Sequence, residues 1–521
     1  MLATLLRQEL LRHLLTFRLA VALAFTVVLT ALTTFIGSLD YRHNLAAYER
    51  EARAVRAELD QATVYAQVFP RIVVPPQPLS ILCRGIVGTA GRTMVVEVDR
   101  IQIASWPLTE SYDNQLVKSL AQIDFSTAVA LLLSFLAVIL GFDGVSGERE
   151  AGTLAQVLAN PVPRSQVYLA KLLGGSLALW LPFAGAFALS LLIARTVAPV
   201  AFTGDDWLRL GLFFALSCLF LSQVHAASLL VSTLTRSSGT ALVVCLFAWL
   251  VGGVGFMSAL PSAARYAVAE RPYQELEAQE QELDESLQRD LEAWEADSPG
   301  PGEAYLRGIE RDHRLRFAHP RGYAWLQRRH AFELERRLAL ADQRYQLRWA
   351  NQQPLARQAH AVDDWSVASP ITNYQVLSYR LARTSLDDSF FMARAGRDYR
   401  RTYLDFLRGR GAFADRRWFT DDPPDQEPLI PDPESATPQM LAGGSPFMAR
   451  RLAWAQEQER LAAADPARRL DLADLPAFGT RWQQAAGATL ASMVPGILVL
   501  VLTWAVAALA GLRRFLTLDP R

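Results

Sequence analysis

Lysine is nearly missing from this sequence: only Lys118 and Lys171 occur in 521 residues, and arginine carries almost all the positive charge. That bias reads as coding preference, yet it has a consequence. No G-x-x-x-x-G-K-[ST] run occurs, and neither lysine sits in a Gly-rich loop after a strand, so the usual phosphate cradle of a nucleotide-hydrolysing chain is excluded. Cysteine is equally scarce. Cys218 and Cys245 fall inside apolar runs and Cys83 stands alone outside them, which excludes a disulfide framework and a cysteine zinc site. The seven histidines are scattered, with no HExxH. Net charge is zero, so nothing draws the chain to nucleic acid in general.

What is abundant is segregated. Long uncharged stretches alternate with stretches crowded by Arg, Glu and Asp. Residues 1–18 place leucines at helical spacing among Arg7, Arg12, His13 and Arg18, the pattern of an amphipathic helix lying on a membrane surface. A signal peptide fits less well, because its basic region would be long and no small-x-small site precedes Asp40. Apolar runs at 19–37, 125–142, 172–194, 210–234, 240–260 and 485–512 each approach the ~20 residues that cross a bilayer. The fold class expected is therefore a mainly α membrane protein of about six transmembrane helices with an N-terminal amphipathic helix. Putting both termini in the cytoplasm gathers Arg7, Arg12, Arg18, Arg149, Arg164, Lys171, Arg236, Arg513, Arg514 and Arg521 inside, and leaves the short loop Thr196–Asp206 outside without Lys or Arg.

Two insertions then lie outside. The first, 38–123, opens with a charged helical stretch, Tyr41–Gln67, followed by the stiff PPQP and by TMVVEVDRIQI, which alternates like a strand. It reads as small and mixed α/β. The second, 261–484, reads as mostly long helices. Gln274–Ala296 and Ala304–Asn351 are dense in helix formers and separated by DSPGPG, the pattern of an antiparallel pair standing off the membrane. A Pro/Asp-rich loop, Asp421–Pro438, and a further helical stretch, Pro446–Ala463, follow. The charge runs there read as solvated helix faces.

The most informative stretch is the loop 143–171, which contains GEREAGTLAQVLANPVPR. A short amphipathic helix fits 147–159, stopped by Pro161 and Pro163. Spacing alone is equally consistent with an ordinary solvated loop. The run GERE-x-GTL followed by Pro-x-x-Arg resembles the signature of ABC-2 type transporter permeases, matching at Glu148, Arg149, Glu150, Gly152, Thr153, Leu154, Pro161 and Arg164. SPITNYQVLSYRLARTSLDD at Ser369–Asp388 and DLPAF at Asp474–Phe478 resemble pieces of a branch of that family with large extracytoplasmic insertions after the first and fifth spans.

The resemblance implies a permease subunit of an exporter in the bacterial inner (plasma) membrane. Those eight residues would contact a separate cytoplasmic ABC ATPase, which binds ATP and Mg; this chain would bind no cofactor or metal and hold no catalytic residue. A second permease, the same or a sister chain, would complete the unit, with a periplasmic protein as a further partner. Gln223 and His225, within the fourth apolar run, are the residues to place on a substrate path, against an ordinary helix-packing role. Without charge clusters in the spans, the cargo expected is hydrophobic or amphipathic. Two other classes stay open. One is a membrane-anchored enzyme using Asp363-Asp364, Asp387-Asp388 or Asp421-Asp422. The other is a sensor, or an ATP-driven mechanotransmitter acting on an envelope partner.

Overall fold

The computed structural model describes residues 2–14, 17–85, 93–101, 123–159, 161–268, 273–479 and 483–518. Six of its helices are long and apolar enough to cross a membrane, as expected. The chain begins with α1 (Leu2–Leu14) and continues into α2 (Phe17–Gln61), 45 residues long. At 1.5 Å per residue α2 extends roughly 68 Å, about twice a hydrocarbon core. The expected first span and the charged stretch after it are thus one unbroken helix as far as Gln61; the end of the stretch expected to Gln67 is a separate 3-10 turn, Tyr65–Gln67. On one face of α2, Thr30, Thr34 and Ser38 are buried and return their hydroxyls to carbonyls one turn back, so small polar residues meet the neighbouring helix without orphaned groups.

Strands β1 (Arg71–Val73) and β2 (Thr93–Val95) pair antiparallel, with Ile72 opposite Met94. The expected strand over TMVVEVDRIQI is therefore three residues long, and its end at Gln102 and Ile103 lies outside the described residues. The second span is α3, residues 125–141. Asp124 caps it by accepting from Thr127 N at 2.7 Å, and its second turn is a π-helical segment, Val129–Leu133. Two short helices follow, α4 (Ser146–Glu150) and α5 (Thr153–Ala159). The single helix expected over 147–159 is broken at Gly152, whose φ of +70° is a left-handed conformation that glycine adopts readily. The next spans are α6 (Arg164–Val197), α7 (Gly204–Leu234) and α8 (Ser238–Ala267), the last with its own π segment, Leu250–Gly255.

In the second insertion α9 (Tyr273–Asp297) runs as expected. The helix expected from Ala304 does not form there. A one-turn α10 (Glu303–Leu306) leads into a hairpin of β3 (Ile309–Arg311) and β4 (Arg314–Arg316), turned at Asp312 and His313 with φ of 50° and 59°. Only then does α11 (Pro320–Ser366) begin, with proline at its first position. α9 and α11 zip antiparallel through Arg329–Glu295 at 2.6 Å, Arg336–Asp290 at 3.5 Å, Arg344–Asp284 and Arg348–Glu280. Pairs this exposed add little stability each, but their sequence sets the register. Next come α12 (Pro370–Ala382), α13 (Leu386–Gly409), α14 (Pro438–Leu441), α15 (Pro446–Ala464, as expected) and the last span α16 (Ala486–Leu516).

The insertions are not independent. Ile72 and Met94 from the first share one core with Met392, Tyr403 and Leu407 of α13. Nor does the second insertion stand wholly clear of the bundle. Ile371, Tyr374, Leu377 and Leu381 of α12 lie in the same core as Phe125, Phe183, Phe213 and Phe220 of the spans. Tyr374 stacks on Phe220 with centroids 4.5 Å apart, and its hydroxyl is 2.9 Å from Ser217 Oγ. Thirteen residues make α12 too short to span. It enters the bundle from one end and packs beside both π segments, where Trp249 Nε1 also donates to Ser134 Oγ at 2.9 Å. Non-spanning backbone at that depth is tolerated because it is walled by protein. Its C-terminal carbonyl, Leu381 O, accepts from Arg209 Nη1 at 3.2 Å. The same buried guanidinium donates to Gln484 O at 2.7 Å, Thr489 Oγ1 at 3.1 Å and Asp205 Oδ2 at 2.7 Å, tying α7, α12 and α16 together.

Close approach of α16 to α12 needs Gly496, where an added Cβ would lie 2.7 Å from Asn373 Oδ1 and 3.0 Å from Leu377 Cδ2. We expect Gly496→Val to destabilise the purified protein by about 1–3 kcal/mol in thermal unfolding, the usual cost of overpacking. Gly487→Val, in open space on the same helix, serves as the comparison and should shift the midpoint little.

Candidate functional site

The loop between α3 and α6 is held from several directions. Val145 N and Ser146 N both donate to Ser232 Oγ of α7 at 3.0 Å, so the start of α4 is fixed to the end of that span. α4 then delivers Glu148 into the bundle, where it is buried. Lys171 Nζ of α6 stands 2.6 Å from Glu148 Oε1 and 2.9 Å from Glu9 Oε1 of α1. Arg12 of α1 also donates to Glu148 Oε1. Two cations and two anions therefore close a neutral cluster, the arrangement in which buried charges are tolerated. Glu148 Oε2 has no hydrogen-bond partner. Glu9 reaches Lys171 because Gly174 leaves room: a Cβ there would sit 2.9 Å from Glu9 Cβ. Burial lowers the Arg12 pKa, but Glu148, Glu9 and Asp143 outweigh it and the group lies above its ordinary value. His13 is pushed down to about 4, by burial first and then by Arg12 and Lys171, so it is neutral at pH 7.

The remaining residues of the motif are placed around this cluster. Glu150 is exposed and accepts from Ser238 N at 3.0 Å and Ser238 Oγ at 2.5 Å. It thereby caps the first turn of α8, and those bonds hold its pKa below the ordinary carboxylate value. Arg149 is half-buried. Thr153 Oγ1 donates to Glu148 O at 3.2 Å, which joins α5 to α4 across the Gly152 break. Leu154 is fully buried with Val145, Tyr168, Leu229 and Phe515. Pro161 is exposed, and Arg164 Nη1 donates to Leu516 O at 3.1 Å and Leu518 O at 3.0 Å, the open carbonyl end of α16. What stays exposed after Glu150 is uncharged and mostly small: Ala151, Gly152, Thr153, Ala155, Gln156, Ala159, Pro161 and Pro163.

Gln223 and His225 are not part of this cluster. Gln223 Nε2 donates to Thr503 Oγ1 of α16 at 2.5 Å. His225 is 1% exposed, and its ring presses on Gly175, where a Cβ would fall 2.2 Å from Nε2. Each aspartate pair has at least one member drawn into an ion pair, and Asp388 instead accepts from Ser385 N and Oγ at the start of α13. Asp363 meets Arg380 at 3.0 Å, Asp387 meets the same arginine at 3.8 Å, and Asp421 and Asp422 both face Arg316, at 3.0 and 2.8 Å. Lys171 and Glu9 escaped the sequence reading as site residues. Their signals were one of only two lysines, at a span boundary, and the one acid in an otherwise basic helix.

A family model described as ABC-2 family transporter protein matches residues 17–519. The chain belongs to the ABC-2 family. It is also 29% identical over 139 residues to a protein of Pseudomonas aeruginosa named probable ABC transporter permease protein NosY, covering 26% of this chain and 50% of that relative. The match thus spans about half the length of the curated relative. Membership and the six spanning helices make this a multi-pass membrane protein and a transporter component, and in its loop 143–171 Glu148 lies in a four-charge cluster of which Glu148 and Lys171 are buried and Arg12 is half-exposed.

Breaking that cluster from one side should cost more than removing a pair. We expect Glu148→Gln to destabilise by about 1–3 kcal/mol, since it leaves Lys171 and Arg12 sharing Glu9 alone, and Glu148→Gln with Lys171→Met to recover much of the loss. Thermal unfolding in detergent reads both; a double variant worse than the sum of the singles would refute the pairing. Acid acts through His13. With its folded pKa near 4 against 6.5, the unfolded chain binds more protons between those values, so stability falls as pH drops through that window. The contribution lost by pH 5 is roughly 2 kcal/mol, and His13→Leu should remove this part of the acid sensitivity.

Proposed function

We propose that this chain is the permease half of an ATP-driven exporter, receiving force through the segment 146–164. The observation that carries the reading is the way this segment is fastened. It reaches α1 through Arg12, α6 through Lys171, α7 through Ser232, α8 through Ser238 and α16 through Leu516 and Leu518. Its exposed side is left uncharged around Ala155, Gln156 and Ala159. A surface of that kind accepts a protein partner closely, and a push on it reaches five helices at once. The partner is a separate cytoplasmic ABC ATPase that binds ATP and Mg. In this reading the protein lies in the bacterial inner membrane with both termini cytoplasmic, as its arginine distribution favours.

Two nucleotide sites call for two membrane halves, so a second permease, identical or sister, completes the unit. Exposed apolar side chains on α8, such as Val243, Phe247, Leu250 and Val251, leave room for it or for lipid. The cargo is hydrophobic or amphipathic and moves outward from the cytoplasm or the inner leaflet. A second reading draws support from the continuity of α2 and the insertion of α12 between spans: ATP-driven movement of the outer body against a periplasmic partner, without cargo.

Purification of the tagged chain from native membranes under gentle detergent tests the first claim. An ATPase should co-purify, and Ala155→Glu with Ala159→Glu should abolish its recovery and the ATP hydrolysis of the eluate while the permease still melts normally. If no ATPase travels with the wild-type chain, the reading fails.

A further inference from the structure

The short helix α12 sits among the spans with none of its residues exposed, yet it buries Thr372, Asn373, Gln375 and Ser378 there. Asn373 Nδ2 donates to Gly496 O of α16 at 3.0 Å, and Thr372 Oγ1 turns back to Ser366 O at 2.6 Å. Both ends of α12 break sharply. α11 stops at Ser366, and only Val367, Ala368 and Ser369 lie between it and Pro370. Beyond the other end Arg383 takes a left-handed φ of 56°, uncommon for a residue with a β-carbon, and α13 starts at Leu386. Short irregular links of this kind are where a helix turns as a body.

The rim of this seat is charged. Arg380 Nη2 is 3.0 Å from Asp363 Oδ2 of α11 and 3.8 Å from Asp387 Oδ2 of α13, while its Nη1 donates to Ser492 O of α16 at 3.1 Å. Arg383 meets Asp205 at 2.5 Å and Asp206 at 3.6 Å, both in the first turn of α7. Ion pairs taken from water add little net stability over apolar packing, so these specify the position of α12 more than they strengthen it. Below the rim α12 meets α3 and α8 at their π segments, Val129–Leu133 and Leu250–Gly255. Helices bend at such segments, where the regular hydrogen-bond ladder is interrupted.

We propose that α12 is a releasable stopper, latched by Arg380 and Arg383 at the end of the bundle opposite Glu148 and withdrawn as a body about the links 367–369 and 383–385. Its withdrawal opens the space it fills between α3, α7, α8 and α16. What that opening serves rests on the permease reading; the seat and its latch do not, because they need neither ATP nor a partner chain. Cys83 reports the movement. It is 1% exposed, its carbonyl accepts from Thr384 Oγ1 at 3.2 Å, and it shares a core with Leu377, Leu381 and Ala382. Departure of α12 uncovers it.

The test labels the full chain in nanodiscs with a maleimide and follows Cys83 by peptide mass spectrometry. In the wild type Cys83 should label slowly. Arg380→Gln should speed it about ten-fold, the effect of losing one charged hydrogen bond, and Asp363→Asn should speed it too. Arg336→Gln, which removes an exposed pair with Asp290 between α9 and α11, should leave the rate unchanged. A lock completes the test. A Cβ on Gly253 would lie 3.9 Å from Ile371 Cβ, within the range that a disulfide spans, so Gly253→Cys with Ile371→Cys ties α12 to α8 when oxidised. Oxidised, the lock should return the Arg380→Gln protein to the wild-type rate; reduced, it should leave it fast. Unchanged Cys83 labelling in both latch variants overturns the proposal, as does a lock that does not form or an acceleration that survives it. An Arg336→Gln protein as fast as Arg380→Gln overturns it too, since Cys83 would then be uncovered by general loosening.

Discussion

Burying a carboxylate among helices is expensive unless its charge is met at once, and Glu148 is met by Lys171 and Arg12 together. The two cations would repel each other without it, and Glu9 on α1 balances the second charge. Each of the three elements involved carries a group that is unfavourable in isolation. α1 cannot leave without leaving Lys171 beside a single carboxylate, and α4 cannot leave without leaving two cations to share Glu9. The geometry of the signature loop follows from that constraint. Once Glu148 is held, Glu150 reaches the first turn of α8 and Leu154 enters the core below.

At the opposite end of the bundle Arg209 plays the equivalent part. Its guanidinium takes acceptors from α12, the approach to α16, and its own helix. α7 therefore runs between two fixed ends, Arg209 at its start and Ser232 near its finish. Along its length Ser217 meets Tyr374, Ser222 meets Trp180 and Gln223 meets Thr503, so one helix reports to three neighbours through hydrogen bonds in a setting where water cannot compete. Displacement of the loop at one end has a physical route to α12 at the other, through a rod with few soft contacts. α3 and α7 are the most enclosed spans and α8 the least, consistent with a rigid centre and a mobile or partnered margin.

The outer body follows a different logic. Its long helices are registered by exposed ion pairs whose individual contributions are small, while its attachment to the bundle is tight at Gly253 and Gly496, and Gly396 plays the same part between the two insertions. Glycine at each contact lets a helix approach where a methyl group would clash. The charge runs of the insertion serve solvation and register, and its adhesion comes from packing.

The number of spans and the helix at the start were legible in residue order, because hydropathy over 20 residues and helical periodicity are properties of short windows. The residues Glu148, Glu150, Leu154 and Arg164 could be named in the same way. What they touch could not. Lys171 and Glu9 lie far apart in sequence and become partners only when α1 packs on α6. The hairpin at Ile309–Arg316 was hidden by helix-forming composition, and its orientation is set by Arg316 reaching Asp421 and Asp422 more than a hundred residues later. The stretch at Ser369–Asp388 had the look of an outer helix, since 13 residues cannot span; only the cavity left by α3, α7 and α16 draws it inward. Local periodicity determined which helices form and which face of each is apolar. Pairing of charges and close packing of glycines, both of which act across long sequence distance, decided how those helices meet.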